Sequence, residues 1–208
     1  LNRIEANMDA NDPEVEAALF DMFNAGGKLL RPAFTLLIGR FYPAEREPLL
    51  NLAATVEMLH TASLVHDDII DDSPTRRHAE SIQSRFGKDV AAYAGDYLFA
   101  VTFRTLADNT NDIETVRMAT RYLERILSGE LTQRTNHYRT DMTIADYEEQ
   151  ISGKTAALFV LAAKLGISAS DAPDDFAELA SDFAYNVGMA FQILDDMLDY
   201  QSDSTTLG

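Results

Sequence analysis

Apolar residues recur along this chain at intervals of three and four, and no stretch alternates apolar and polar positions with the period of two that a half-buried strand requires. The pattern predicts an all-α fold. Asp12-Pro13 supplies an N-cap and a first-turn proline for a helix over Glu14 to Ala25, which Gly26-Gly27 terminates. Leu29 to Tyr42 reads as a second helix, broken by Pro43, and Leu49 to about Asp72 as a third that meets no breaker until Pro74. Further helices are predicted at about Asp89 to Ala107, Asp112 to Tyr138, Thr143 to Leu165 and Asp174 to Tyr200, with Asn, Asp, Gly and Pro between them. Runs this long and this apolar cover most of a helix's circumference, so some of these helices must be central in a bundle.

Composition narrows the picture. The 208 residues, 46% of them hydrophobic, suffice for one domain over 1–208 with a sizeable core, and no linker or low-complexity segment divides it. With no cysteine there is neither a disulfide framework nor a thiolate-bound metal, which fits a reducing compartment. No uncharged apolar run reaches about 18 residues and no charged-then-apolar leader opens the chain, so neither a membrane span nor a signal peptide is expected and the default location is cytoplasmic. A formal net charge of −17 argues against nucleic acid or an anionic membrane surface as partner. An anionic substrate would need local cations.

Two carboxylate runs repeat the pattern DDxxD inside otherwise apolar helices: Asp67-Asp68-Ile69-Ile70-Asp71-Asp72, and Asp195-Asp196-Met197-Leu198-Asp199. On a helix advancing about 100° per residue, the first and last aspartates of such a run lie about 40° apart, so three carboxylates should share a small patch. Their repulsion calls for cations. A solvated acidic face is the commonest fate of one charge run, but two runs of one pattern, each entered from an apolar segment, favour a divalent-metal site. Aspartate oxygens without His or Cys suit Mg²⁺, which keeps waters and is completed by phosphate oxygens. A calcium loop fails on spacing, because the sixth position from Asp67 is Asp72 rather than Gly and the twelfth is His78 rather than Glu.

Cations stand where a diphosphate would need them. Gly26-Gly27-Lys28-Leu29-Leu30-Arg31-Pro32 places Lys28 and Arg31 one turn apart beside a helix start, an anion clamp in outline, although a capping glycine followed by two surface cations would read the same. His60 lies seven residues before Asp67, close to the same helical face, and His66 points elsewhere. Arg76-Arg77 follow Ser73-Pro74, where a loop could fold them back over phosphates.

The order Gly-Gly-Lys-x-x-Arg-Pro, Glu57-Met58-Leu59-His60-Thr61-Ala62-Ser63-Leu64-Val65-His66-Asp67-Asp68, Arg76-Arg77, Gly95-Asp96-Tyr97-Leu98, Gly129-Glu130, Lys154-Thr155 and Phe191-Gln192-x-x-Asp195-Asp196-x-x-Asp199 resembles the trans-isoprenyl diphosphate synthase family across almost the whole chain. The resemblance implies an all-α isoprenoid-synthase-type bundle around a deep central cavity, three Mg²⁺ ions, and head-to-tail condensation of an allylic diphosphate with isopentenyl diphosphate. It implies metal-bridging roles for Asp67, Asp71 and Asp195, with Asp68, Asp196 and Asp199 completing the catalytic runs. It also implies an isopentenyl diphosphate pocket at Lys28, Arg31, His60 and Arg77, and an allylic diphosphate contact at Arg76. Lys154, Thr155 and Gln192 match positions near the reacting carbons, and a diphosphate oxygen takes the proton lost after coupling. A homodimer, or a heterodimer with a small partner subunit, is the implied assembly. The alternatives are a non-catalytic subunit of such a heteromer, which would be expected to lose the aspartates, and a terpene cyclase-like enzyme, for which the clamp at Lys28, Arg31 and His60 has no use.

Two departures stand out. Arg77 is followed by His78-Ala79-Glu80-Ser81 where the family commonly has Gly-x-Pro-Thr, and the chain ends at Gly208, where the family carries a Lys-bearing loop and further helices. A domain lacking its C-terminal part is the expectation. Helix geometry also bears on product length. One turn before Asp67 stand Ala62 and Ser63, both small, and a turn rises about 5.4 Å, close to one isoprene unit. A growing chain could pass them toward Met58, with Phe99 and Phe103 as candidate floor residues; the resemblance to the family implies a long product of about six to eight isoprene units, the size of a quinone side-chain precursor.

Overall fold

The computed structural model describes residues 1–25, 27–76, 79–110, 112–136 and 139–201, the side chains of residues 134 and 135 excepted. Helices α1 (Asn2–Glu5), α2 (Pro13–Asn24), α3 (Leu30–Gly39) and α4 (Arg46–Ile70) come first. A short antiparallel pair, β1 (Thr75–Arg76) and β2 (Ala79–Glu80), follows, with Thr75 opposite Glu80 and Arg76 opposite Ala79. Then come α5 (Ile82–Phe86), α6 (Lys88–Asp108), α7 (Ile113–Asn136), α8 (Ile144–Ile151), a wide π turn (Ser152–Ala156), α9 (Ala157–Ser168) and α10 (Asp174–Gln201).

The long helices form close to where the apolar spacing placed them, although α3 ends at Gly39 rather than Tyr42 and α4 begins at Arg46 rather than Leu49, and α2 and α8 open on side-chain caps. Asp12 accepts from the N–H groups of Glu14 and Val15 to open α2. Thr143 and Asp146 close a reciprocal capping box at the start of α8. Three features escape the apolar pattern. α1 and α5 are too short to show a period, and the strand pair is two residues long on each side. That pair is fixed instead by Ser73, whose carbonyl accepts from the Ser81 hydroxyl at 2.6 Å and the Gln83 amide at 2.8 Å. The single helix expected over Thr143 to Leu165 is interrupted by the π turn, which Ser-Gly-Lys-Thr-Ala does not announce because it reads as ordinary helix.

α4 packs against α6, α3 and α9, and α10 lies over α9 and the π turn. The core runs in three joined clusters: around Leu19, Met58, Ala62 and Leu98; around Leu52, Val56, Leu106 and Leu161; and around Ile38, Phe159, Ala163 and Ala184. The continuous helical stretch Ile144–Ser168 is long and apolar enough, by length and composition, to cross a membrane. It carries Lys154 and Lys164, and 78% of its most apolar window is buried inside the bundle, so its apolarity serves the core.

Glycines set the close approaches around the π turn. A Cβ on Gly129 of α7 would lie 2.9 Å from the Lys154 backbone nitrogen, and one on Gly188 of α10 would lie 2.5 Å from the Ala156 Cα. Backbone meets backbone on both sides of the turn. On a free helix Gly→Ala stabilises by about 1 kcal/mol. Here Gly188→Ala should instead destabilise by about 1–3 kcal/mol in urea unfolding, since helix and turn must separate to admit the methyl group. A stabilised variant would contradict this packing.

Candidate cation and diphosphate site

The first run sits at the C-terminal end of α4. The helix stops at Ile70, slightly short of the expected Asp72, but the Asp71 N–H still bonds the Asp67 carbonyl at 2.9 Å, so the two side chains remain one turn apart. Asp72 takes a left-handed backbone with φ 52 and pairs with Lys88. The Asp67 carboxyl is pushed up to about 6, chiefly by burial and then by Glu130 and Asp71, against the pull of Lys154 and Arg76. Glu130 on α7 is raised as well, by burial and by Asp71, and lowered by Lys154.

The second run sits near the end of α10. Asp195 is exposed, yet partial desolvation and then Asp199 and Asp196 raise its carboxyl, while Arg31 and Lys154 lower it. One ammonium therefore acts on both runs. Lys154 projects from the π turn, donates to the Gln133 side-chain oxygen at 2.9 Å and lies 3.7 Å from the Glu130 carboxylate. A π turn shifts the residues after it around the helix axis, and such turns recur at functional sites.

The expected patch of three carboxylates per run is corrected by the second aspartate of each, which turns away. Asp68 is buried, 2% exposed, and one of its oxygens accepts from the Arg76 guanidinium, with Nε at 2.9 Å. Arg76 thus reaches the first run as a partner of Asp68 from β1. Asp196 accepts from the Tyr147 hydroxyl at 2.6 Å and from the Gln192 amide at 2.8 Å, and Gln192 in turn accepts from the Thr155 hydroxyl. What remains of each run for an ion is its first and last member: Asp67 with Asp71, and Asp195 with Asp199.

Arg31, in the first turn of α3, stands 3.2 Å from the His60 ring nitrogen, with its guanidinium 5.0 Å from the Phe159 ring centre. Leu29 just before it has a left-handed backbone with φ 49, a strained conformation for a bulky residue of the kind that gathers at ligand clamps. Lys28 is exposed beside it. His66 is turned from the runs, as expected, onto the Ala62 carbonyl at 2.9 Å, Asp96 at 3.2 Å and the Phe99 ring. Ala62 is fully buried in the core cluster containing Met58 and Leu98, and the half-buried Ser63 bonds the His60 carbonyl at 2.8 Å. Arg77 lies outside the described residues.

Sequence reasoning passed over Gln133 and Tyr147, and quoted Glu130 without a role. Gln133 stands three residues after Glu130, on the same face of α7, so the pair was readable as one polar patch. Tyr147 carries no comparable signal, because its partner is 49 residues away.

Among the described residues no three acidic or histidine side chains gather closely enough to hold an ion by themselves. That fits Mg²⁺, which takes one or two carboxylates and completes its shell with water and phosphate oxygens. All-oxygen donors facing Lys154 and Arg31 fit the same pairing of cation and anion.

A helical bundle with two aspartate runs near helix ends, both under the influence of Lys154, matches the isoprenoid-synthase type of fold. Similarity to known proteins makes this specific. The sequence model of polyprenyl synthetase matches residues 12–208, and the chain belongs to that family. It is 39% identical over 202 residues to a prenyl transferase of Synechocystis sp., covering 96% of this chain and 62% of the relative. It is 38% identical over 196 residues to heptaprenyl diphosphate synthase component 2 of Geobacillus stearothermophilus, covering 94% and 61%. The crystal structure of a Caulobacter crescentus polyprenyl synthase complexed with calcium and isoprenyl diphosphate superposes with a TM-score of 0.93 at 33% identity, over 100% of this chain and 63% of that one. The chain thus spans about three fifths of the length of these curated relatives.

The raised Asp67 group has a consequence for the ion-free protein. Its folded pKa of about 6 exceeds the ordinary 3.8, so folding disfavours the charged form at pH above 6, and the cost is relieved as pH falls through 6 toward 3.8. With a chelator present, Asp67→Asn should melt above the parent protein at pH 7.5, and the advantage should shrink by pH 5. A variant that melts lower at pH 7.5 would contradict the burial and repulsion described.

Proposed function

We propose that the protein is a Mg²⁺-dependent polyprenyl diphosphate synthase that condenses an allylic diphosphate with isopentenyl diphosphate. The reading is carried by Lys154, held by Gln133 and Glu130, whose charge lowers the first carboxyl of both runs, with Arg31, 3.2 Å from His60, also lowering Asp195. Asp67, Asp71 and Asp195 would hold the ions, three in number with diphosphate bound. Mg²⁺ there supplies the positive charge that stabilises the leaving diphosphate as the allylic carbon–oxygen bond ionises. The chain's own residues do the rest. Lys154, steadied by Gln133 and Glu130, presents its ammonium between the runs; Arg76, fixed by Asp68, adds charge beside Asp67; Lys28, Arg31, His60 and Arg77 anchor the second diphosphate. Thr155 and Gln192 hold each other against the π turn, facing the reacting carbons and keeping water away. The proton lost after coupling goes to a diphosphate oxygen, so no protein base is needed.

The product in this reading is long, roughly six to eight isoprene units, because Ala62 and Ser63 leave the level one turn below Asp67 without a bulky side chain. The relative named as component 2 of a heptaprenyl synthase supports both that length and a two-component assembly, with a homodimer as the other form.

Incubation with farnesyl diphosphate, isopentenyl diphosphate and Mg²⁺, followed by chain-length analysis, tests the whole reading. Turnover should vanish in Asp67→Ala and Asp195→Ala, whereas Arg31→Ala should raise KM for isopentenyl diphosphate more than for the allylic substrate. Ser63→Phe, at a half-buried position that admits a larger group more readily than fully buried Ala62, should shorten the product. Full Mg²⁺-dependent activity in either aspartate variant would overturn the ion assignment, and an unchanged length distribution in Ser63→Phe would overturn the length assignment.

A further inference from the structure

The second carboxylate run stands on the least supported part of α10. From Ile193 through Gln201 every residue is exposed except Asp196, which is half-buried. Among the described residues of α10 beyond Phe191, side-chain hydrogen bonds are made by Gln192 and Asp196 alone. Gln192 and Asp196 lie one turn apart on the same helix and bond each other at 2.8 Å, so that contact stiffens α10 without tying it to anything. Two contacts reach outward. Thr155 of the π turn donates to Gln192, and Tyr147 of α8 donates to the free oxygen of Asp196 at 2.6 Å.

The Tyr147 bond is the farther along the helix. It lies beside Asp195 and three residues before Asp199 in sequence. A hydroxyl donating to a carboxyl oxygen at this distance is a short, directional contact. The Tyr147 hydroxyl is itself pushed up to about 12 by burial and by Asp196, so it keeps its proton and remains a donor across the working pH range. α8 in turn packs against α7 and continues into the π turn that carries Lys154. One element therefore fixes both the shared cation and the end of the second run.

We propose that Tyr147 is a positioning residue for the second carboxylate run: by clamping Asp196 to α8, its hydroxyl sets where Asp195 and Asp199 stand relative to Lys154 and the first run. Asp196 acts here as an anchor rather than an ion ligand. The inference rests on the cation–diphosphate reading above.

Tyr147→Phe removes the hydroxyl alone and keeps the ring. Two measurements test the role. In the ion-free protein, amide exchange over 193–200 should speed up several-fold in the variant while α9 keeps its protection. By electron paramagnetic resonance with inorganic diphosphate present, Mn²⁺ affinity should fall about tenfold or more, the usual effect of removing a group that orients a metal ligand. Asp196→Asn, which can still pair with both Gln192 and Tyr147, should bind Mn²⁺ better than Tyr147→Phe does. The inference is overturned by unchanged exchange over 193–200. It is equally overturned by Mn²⁺ binding that is unchanged or tighter in Tyr147→Phe, or by Asp196→Asn being as damaging as Asp195→Asn, which would make Asp196 a ligand. Failure of the parent protein to bind Mn²⁺ with diphosphate would overturn the functional reading itself, and this one with it, whatever the exchange result.

Discussion

Carboxylates gathered at one end of a helix bundle repel one another, and the fold answers with a cation delivered from its core side. Lys154 meets that need for both aspartate runs at once. Its place depends on the π turn at Ser152–Ala156, which widens the helix between α8 and α9 and rotates the residues that follow. The turn in turn depends on Gly129 and Gly188, whose missing side chains let α7 and α10 close upon it. Small residues far apart in sequence thus decide where one ammonium stands, and the ammonium makes the carboxylate arrangement tolerable.

Toleration is incomplete, which is characteristic of binding sites. Asp67, Asp195 and Glu130 are all held above their ordinary range by burial and mutual repulsion, so the ion-free fold carries unfavourable electrostatics in this corner. A ligand that supplies positive charge relieves them and gains affinity from the relief. The second aspartate of each run does different work. Asp68 secures Arg76 from the strand pair, and Asp196 secures α10 to α8, so each run combines exposed charge with an internal tether.

The helices were legible because apolar spacing, Asp12-Pro13 and Pro43 are local signals that tertiary contacts did not overrule. The two runs were legible for the same reason: their one-turn spacing is a property of the helix itself. What escaped was non-local or too short. The π turn has no signature in Ser-Gly-Lys-Thr-Ala and exists through neighbours on α7 and α10. The turning away of Asp68 and Asp196 follows from donors at Arg76 and Tyr147, which spacing within a run cannot reveal. Product length was argued from small residues at 62 and 63, yet Ala62 lies in the packed core around Met58 and Leu98, where smallness also serves close packing of α4 against α6.

The central claim is that one ammonium serves both runs, and carboxyl carbon NMR of the ion-free protein addresses it most directly. Following the side-chain carboxyl signals of Asp67 and Asp195 against pH, in the parent protein and in Lys154→Gln, gives both midpoints. Because Lys154 lowers both groups, both midpoints should rise in the variant, with Asp67 starting from about 6. A shift confined to one aspartate, or to neither, would contradict the convergence on which this account rests.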